Sequence, residues 1–182
     1  MRNTILEKSK KSKQIIGVRL YGEDEDFWLG YIEDFNDKII QLRYFDRLGL
    51  EDGIVIEQQE NIDSIDFDSD YEKTYEYLIN KQNDFSKIEK IVDFKDSDNW
   101  KIEYLSVYKI KKEIISIKFS NDLIIEGYIL EITDSEFIVE AIGHIGEDEG
   151  KTVYKINDIS AFRLSDKKSK LKQELNKWRK KK

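Results

Sequence analysis

The sequence predicts a mainly β protein with helices, built as two tandem five-stranded small barrels, each followed by a helix. Three observations predict it. The stretch Trp28-Leu29-Gly30-Tyr31-Ile32-Glu33-Asp34-Phe35 returns as Ile125-Glu126-Gly127-Tyr128-Ile129-Leu130-Glu131-Ile132, a displacement of 97 positions. Without a gap, the same displacement carries Ile40 onto Phe137, Leu42 onto Val139, Gly49 onto Gly146, Gly53 onto Gly150 and Ile62 onto Ile159. Six of the nine glycines thus fall into three matched pairs, and glycine is kept where φ > 0 or a close backbone approach is required. Secondly, each copy packs five short apolar runs, joined by tight turns, into about 55 residues, which suits a closed antiparallel barrel better than a two-layer sandwich. Thirdly, a helical apolar stripe follows each copy.

In the first copy Ile16, Val18 and Leu20 alternate with polar or small neighbours, the mark of a half-buried strand. An acidic turn over residues 22 to 26 leads to the strand through Gly30 and Ile32. Asn36-Asp37-Lys38 turns into a strand through Ile40, Leu42 and Tyr44. Ile54 to Glu57 forms the fourth strand and residues 61 to 67 a short fifth. The second copy repeats this through Ile115, Ile117 and Phe119, then Gly127 and Ile129, then Phe137 and Val139, then Val153 to Ile156, then Ile159 to Leu164. The barrels span residues 14 to 67 and 113 to 165. Between them, 68 to 112 reads as a helical connector: Ser69 or Asp70 caps a helix with the stripe Tyr71, Tyr75, Leu78, and Trp100, Tyr104 and Tyr108 space a second behind Asp98. Residues 166 to 182 form a basic amphipathic helix whose stripe Leu171, Leu175, Trp178 is expected to pack on the second barrel, its lysines facing outward.

Each unit, near 60 residues, is small enough that its stability is marginal. The absence of cysteine excludes disulfides and thiolate metal sites and fits a reducing compartment. No apolar run approaches the roughly 20 residues of a membrane span, and residues 1 to 8 lack the apolar core of a secretion signal, so a cytoplasmic protein without a membrane partner is expected. Charge is uneven. Residues 167 to 182 carry nine Lys or Arg against Glu174, residues 1 to 13 carry five against Glu7, and the body between is −19. A body so acidic repels phosphate chains.

The order apolar strand, Gly-x-Ile-x-x-Phe, Asn/Asp turn, apolar strand resembles the first motif of the Sm and Sm-like proteins, Hfq included. Gly30, Ile32 and Phe35 fit it, as do Gly127, Ile129 and Ile132, and Asn61-Ile62 and Asp158-Ile159 stand where the family has its second motif. The resemblance covers both barrels and implies an SH3-like, Sm-like fold. It transfers little function, because Ile39-Ile40 stand where the family has a base-binding Met-Asn pair, and Gln58-Gln59 and Lys155-Ile156 replace its Arg-Gly. Tyr154-Lys155 resembles the Hfq-like Tyr-Lys-His run without the histidine.

Local patterns point away from catalysis. Gly146-Glu147-Asp148-Glu149-Gly150-Lys151-Thr152 has three residues between its glycines where a phosphate loop needs four, and it is acidic. Asp66, Asp68 and Asp70 lack the Gly and Glu of a calcium loop and suit a strand end entering a helix N-terminus. His144 has no partner for a triad or a metal. No enzyme, cofactor or metal is therefore expected. The functional class favoured is a non-catalytic binding or scaffolding module whose partner is another protein, with homo-oligomers formed through barrel edge strands as a further option. The alternative is a divergent Sm-like RNA binder that uses the basic C-terminal tail. The ligand surface is assigned to Trp28, Tyr31, Arg43, Arg47, Tyr154, Lys155, Trp178 and Arg179.

Overall fold

The computed structural model describes residues 1 to 22, 27 to 82 and 90 to 181. The acidic turn at 23 to 26, part of the connector at 83 to 89 and the terminal Lys182 lie outside the described residues. Among the described residues the chain is mainly β, with ten antiparallel strands and four helices, and it divides into two units, Met1–Phe94 and Lys95–Lys182.

Unit 1 runs α1 (Arg2–Ser12), β1 (Ile16–Leu20), β2 (Phe27–Phe35), β3 (Ile39–Phe45), β4 (Glu51–Gln58), a 3₁₀ turn (Gln59–Asn61), β5 (Ile62–Asp66) and α2 (Asp70–Gln82). Unit 2 runs α3 (Trp100–Lys111), β6 (Ile115–Phe119), β7 (Ile124–Ile132), β8 (Glu136–Ile142), β9 (Asp148–Lys155), a 3₁₀ turn (Ile156–Asp158), β10 (Ile159–Leu164) and α4 (Lys167–Arg179). In unit 1 the strand order is β5-β1-β2-β3-β4, and in unit 2 it is β10-β6-β7-β8-β9. The sheet is not closed, so barrel closure, expected from the short strands, is not seen in the hydrogen-bonded ladders.

The displacement read from the sequence is visible in the backbone. Gly30 pairs with Tyr44 and Gly127 with Ala141. Bulges fall between Ile32 and Asp34 and between Ile129 and Glu131, and again between Arg43 and Phe45 and between Glu140 and Ile142. The turn glycines Gly49 and Gly146 have φ of 74° and 77°, a left-handed conformation that a Cβ disfavours. At Gly30 an added Cβ would stand 1.8 Å from the Arg43 carbonyl oxygen, and at Gly127 2.2 Å from that of Glu140. Close backbone approach is therefore the reason both strands hold glycine there.

Each unit also opens with a helix. Residues 1 to 13, read from sequence as a basic arm, contain α1, and the end of the expected connector is α3, so both five-strand sets are preceded as well as followed by a helix. Lys13 and Lys112 end α1 and α3 in the same left-handed conformation, with φ of 55° and 53°. Leu6 of α1 joins Ile16, Val18, Leu20, Ile32, Ile40, Leu42 and Ile62 in the core of unit 1. The Ser9 hydroxyl donates to the Gln14 carbonyl and accepts from the Ile32 amide. On α3, Trp100 and Tyr104 meet Phe162 at ring distances of 5.8 and 5.9 Å.

The final helices dock alike but with different chemistry. Leu78 and the Ile79 amide lie over Gly49, and the Gln82 amide donates to the Leu48 carbonyl. Leu175 and the Asn176 amide lie over Gly146, and Arg179 Nε donates to the Ile145 carbonyl at 2.7 Å. Under α2 the contact is apolar, with Ile79 clustered on Ile15, Leu29, Tyr31 and Phe45. Under α4 it is polar. Lys172 pairs with Glu126 and donates to the Ile142 carbonyl at 3.2 Å, and Asn176 donates to the Gly146 carbonyl at 2.9 Å. The expectation that Leu171, Leu175 and Trp178 pack inward thus holds for half-buried Leu175 alone and is overturned for the other two: Leu171 is 56% exposed and Trp178 53%, while Lys172 and Asn176 are buried. The physical reason is Glu126, which stands where unit 1 has Leu29 and draws the lysine face of the helix onto the sheet.

Candidate functional site

An open aromatic surface of unit 1 forms where α2 starts beside β1, β2 and β5. Ser69-Asp70-Tyr71-Glu72 is a capping box: the Ser69 hydroxyl accepts from the Tyr71 amide at 3.2 Å, and the Glu72 carboxylate accepts from the Ser69 amide at 3.0 Å. The cap fixes the first turn of α2, so Tyr71 and Tyr75, four residues apart, share one helix face with ring centroids 4.6 Å apart. On the sheet, Arg19 pairs with Phe27 across β1 and β2. The Arg19 guanidinium lies 5.1 Å from the Phe27 ring, and its Nε donates to the Asp66 carboxylate at 2.7 Å. Phe27 meets Tyr71 at 5.6 Å.

The result is an aromatic groove. A cavity of about 500 Å³ is lined by Arg19, Phe27, Asp66, Phe67, Tyr71 and Glu72, among others. A second, of about 150 Å³, shares Phe27 and Tyr71 and reaches Tyr44, Arg47 and Tyr75. Phe67 and Tyr71 are 42% and 44% exposed, an uncommon presentation for rings flanking a cavity. The Tyr71 phenol is pushed up to about 12, by burial first and then by its bond to Tyr75. It stays protonated at neutral pH and serves as a donor. Glu72 is engaged in the cap and Asp66 with Arg19, so these two carboxylates are already partnered within the groove wall. Among the described residues no cluster of three or more His, Asp or Glu is placed to hold a metal ion.

The residues assigned to a ligand surface from sequence are dispersed. Trp28 is half-buried against the unit 1 core and meets Tyr44 edge-on at 5.3 Å. Tyr31 is buried, its phenol pushed up to about 12 by burial, an effect that nearby Arg43 opposes. Arg43 is 1% exposed: Nε donates to Glu33 at 2.6 Å, and its terminal nitrogens pair with Glu33 and Glu51. Gln41 extends this network by donating to Glu33 at 2.8 Å and to the Val92 carbonyl at 3.2 Å. Arg47 is exposed and lines the smaller cavity of the groove. Tyr154 packs on Phe119 and Phe137, with centroids 4.7 and 5.9 Å away, and Lys155 is exposed at the end of β9. Trp178 and Arg179 lie on α4.

Phe27 stands beside Trp28 and Tyr31 in a sequence stretch suited to stacking, whereas its pairing with Phe67 and Tyr71 escapes a reading by local pattern because separate elements bring them together. The signal available was the i, i+4 pair Tyr71 and Tyr75 directly after a capping box, a helix start that presents aromatics beside a strand end. No protein-family model matches the chain, and no curated protein matches it.

Proposed function

We propose that the chain is a non-catalytic binding or scaffolding protein of the cytoplasm, built from two Sm-like small barrels, and that its partner is another protein held in the Phe27–Tyr71 groove. In each unit the first strand pairs with both the second and the fifth, a connectivity that a small five-stranded barrel shares, and this order supports the barrel reading. One observation carries the function: exposed rings line a cavity beside residues 60 to 72, a segment with six acids, of which Arg19 and Lys8 pair with only Asp66 and Asp68. That segment disfavours a phosphate chain and suits apolar or cationic side chains. The test is capture from RNase-treated extract by the wild type and by Tyr71→Ser. A protein retained by the wild type and lost by the variant supports the reading. Equal capture by both, or none, counts against it.

A second reading is RNA binding by the tail. Lys170 and Lys177 stand exposed on α4, and Lys181 just beyond it, beside half-exposed Trp178, an arrangement able to pair phosphates and stack a base. Titration with mixed single-stranded RNA at two salt concentrations decides it, since phosphate contacts make affinity fall steeply with salt.

A further inference from the structure

The two final helices are each other's control. At the displacement of 97, Leu171 and Trp178 of α4 stand where α2 has Thr74 and Lys81. The same dock is therefore made in unit 1 with polar residues at these two positions, so the dock itself does not require Leu171 and Trp178. Leu171 and Trp178 lie seven residues apart, two turns along one line of the helix, with Lys170, Lys177 and Lys181 exposed on one flank. Ile145, to whose carbonyl Arg179 is bonded, is exposed on the other. A bare phosphate chain gains nothing from Leu171 and Ile145. The stripe is suited to an apolar surface with an acidic border.

Unit 1 carries such a surface. Phe67 separates the 500 Å³ cavity from a second, of about 370 Å³, lined by Met1, Ile5, Asp63 and Ile65, among others. Asp66 and Glu72 line the first cavity and Asp63 the second, and the same segment carries Glu60, Asp68 and Asp70, with Asp63 and Asp70 exposed. The charges of the units complement one another as well. Residues 1 to 94 hold 22 Asp and Glu against 13 Lys and Arg, and residues 95 to 182 hold 16 against 18. Both the α4 stripe and the Phe67 surface are exposed in the single chain. We infer that the occupant is a second copy of this chain: the Leu171 and Trp178 stripe of one copy docks on the acidic Phe67 surface of another. Two different patches meet in this contact, so it does not close as a two-fold dimer, and each added copy presents a fresh stripe and a fresh groove. The inference rests on the reading of the groove as a protein-binding site.

Sedimentation of the full chain over a wide concentration range tests it. Mass should rise with concentration at low salt and return to monomer at high salt, because charge flanks the contact. Trp178→Ala should weaken self-association by about tenfold or more, as loss of an aromatic anchor does. The surface pair Lys170→Glu with Lys177→Glu, and separately Asp63→Lys with Asp70→Lys, should each leave a monomer that still unfolds cooperatively, the second slightly less stable because Asp70 opens α2. Mixing those two variants is the decisive arm, since one keeps a working groove and the other a working helix. They should associate with one another where neither associates alone, through the native helix on the native groove and through the charge-reversed pair. A monomer at every concentration and salt overturns the inference, as does association that survives in either charge variant or a mixture that does not associate. A monomer from which Tyr71→Ser still abolishes partner capture would overturn this inference alone and leave the proposed function standing. A monomer that binds single-stranded RNA through the same lysines would replace it.

Discussion

Glu57 gives the sharpest quantitative test. It lies on β4 opposite Ile40, so its side chain shares the face of the unit 1 core, and it is 1% exposed. One carboxyl oxygen accepts from the Gln58 amide at 3.0 Å and from the Asn61 side chain at 2.8 Å, while the other has no hydrogen-bond partner among the described residues. Burial pushes the carboxyl up from 4.5 to about 7, against the smaller pull of those two bonds. The folded state therefore binds this proton more tightly than the unfolded chain. Stability is highest at and below the unfolded value, falls as pH rises from about 4.5 to about 7, and stays low above that. The gap corresponds to about 3 kcal/mol at pH 8, an upper value because relaxation around the charge reduces it. Glu57→Gln keeps the shape and the acceptor for Asn61 but cannot ionise. Urea unfolding from acid to alkaline pH should show the variant about 2 to 3 kcal/mol more stable near pH 8, with the two curves converging at the acid end. A difference constant across that range, or a wild type more stable at pH 8, would refute the assignment of a buried, poorly solvated carboxylate.

Three further outcomes follow from the packing. Gly30→Val and Gly127→Val should each cost about 3 kcal/mol or more in denaturant unfolding, since a Cβ meets a carbonyl oxygen at 1.8 and 2.2 Å. Lys172→Met alone leaves Glu126 buried without its nearest cation and should cost about 3 to 5 kcal/mol, whereas Lys172→Met with Glu126→Leu should recover most of that loss. In the folded wild type burial raises the Glu126 carboxyl, but Lys172 and Lys168 outweigh it and hold the group below its usual range, so this contribution to stability is lost as pH falls through that depressed value. Deleting residues 167 to 182 removes the bonds to the carbonyls of Ile142, Ile145 and Gly146 and should lower the melting temperature.

The parts of the fold legible in the sequence are those where backbone geometry restricts residue type. Gly30 and Gly127 mark the crowded strand crossing, and Gly49 and Gly146 the left-handed turns, because no other residue suits those positions as well. Alternation at Ile16, Val18 and Leu20 and at Ile40 and Leu42 located two strands, since one face of each is core. The first helix was hidden because Leu6 is its single fully buried apolar residue, and tertiary contacts such as that of Ser9 with Ile32 hold it. The orientation of α4 was misjudged for a related reason. Its apolar stripe is periodic, yet the buried partner, Glu126, lies 46 residues away and selects Lys172 instead. At the groove, Phe27 and Tyr71 are separated by the whole ladder, and a local window does not join them.

One socket, a left-handed glycine under a helix backbone, thus receives an apolar helix in unit 1 and an ionic one in unit 2. The two attachments answer to different variables. Apolar burial loses strength on cooling, so α2 is the helix that cold loosens. The cost of desolvating charges falls as temperature rises, so the Lys172 and Glu126 contact under α4 holds up better in heat than in cold salt solution. Because exposed Lys168 shares Glu126, added salt screens the outer half of that attachment and spares the inner half.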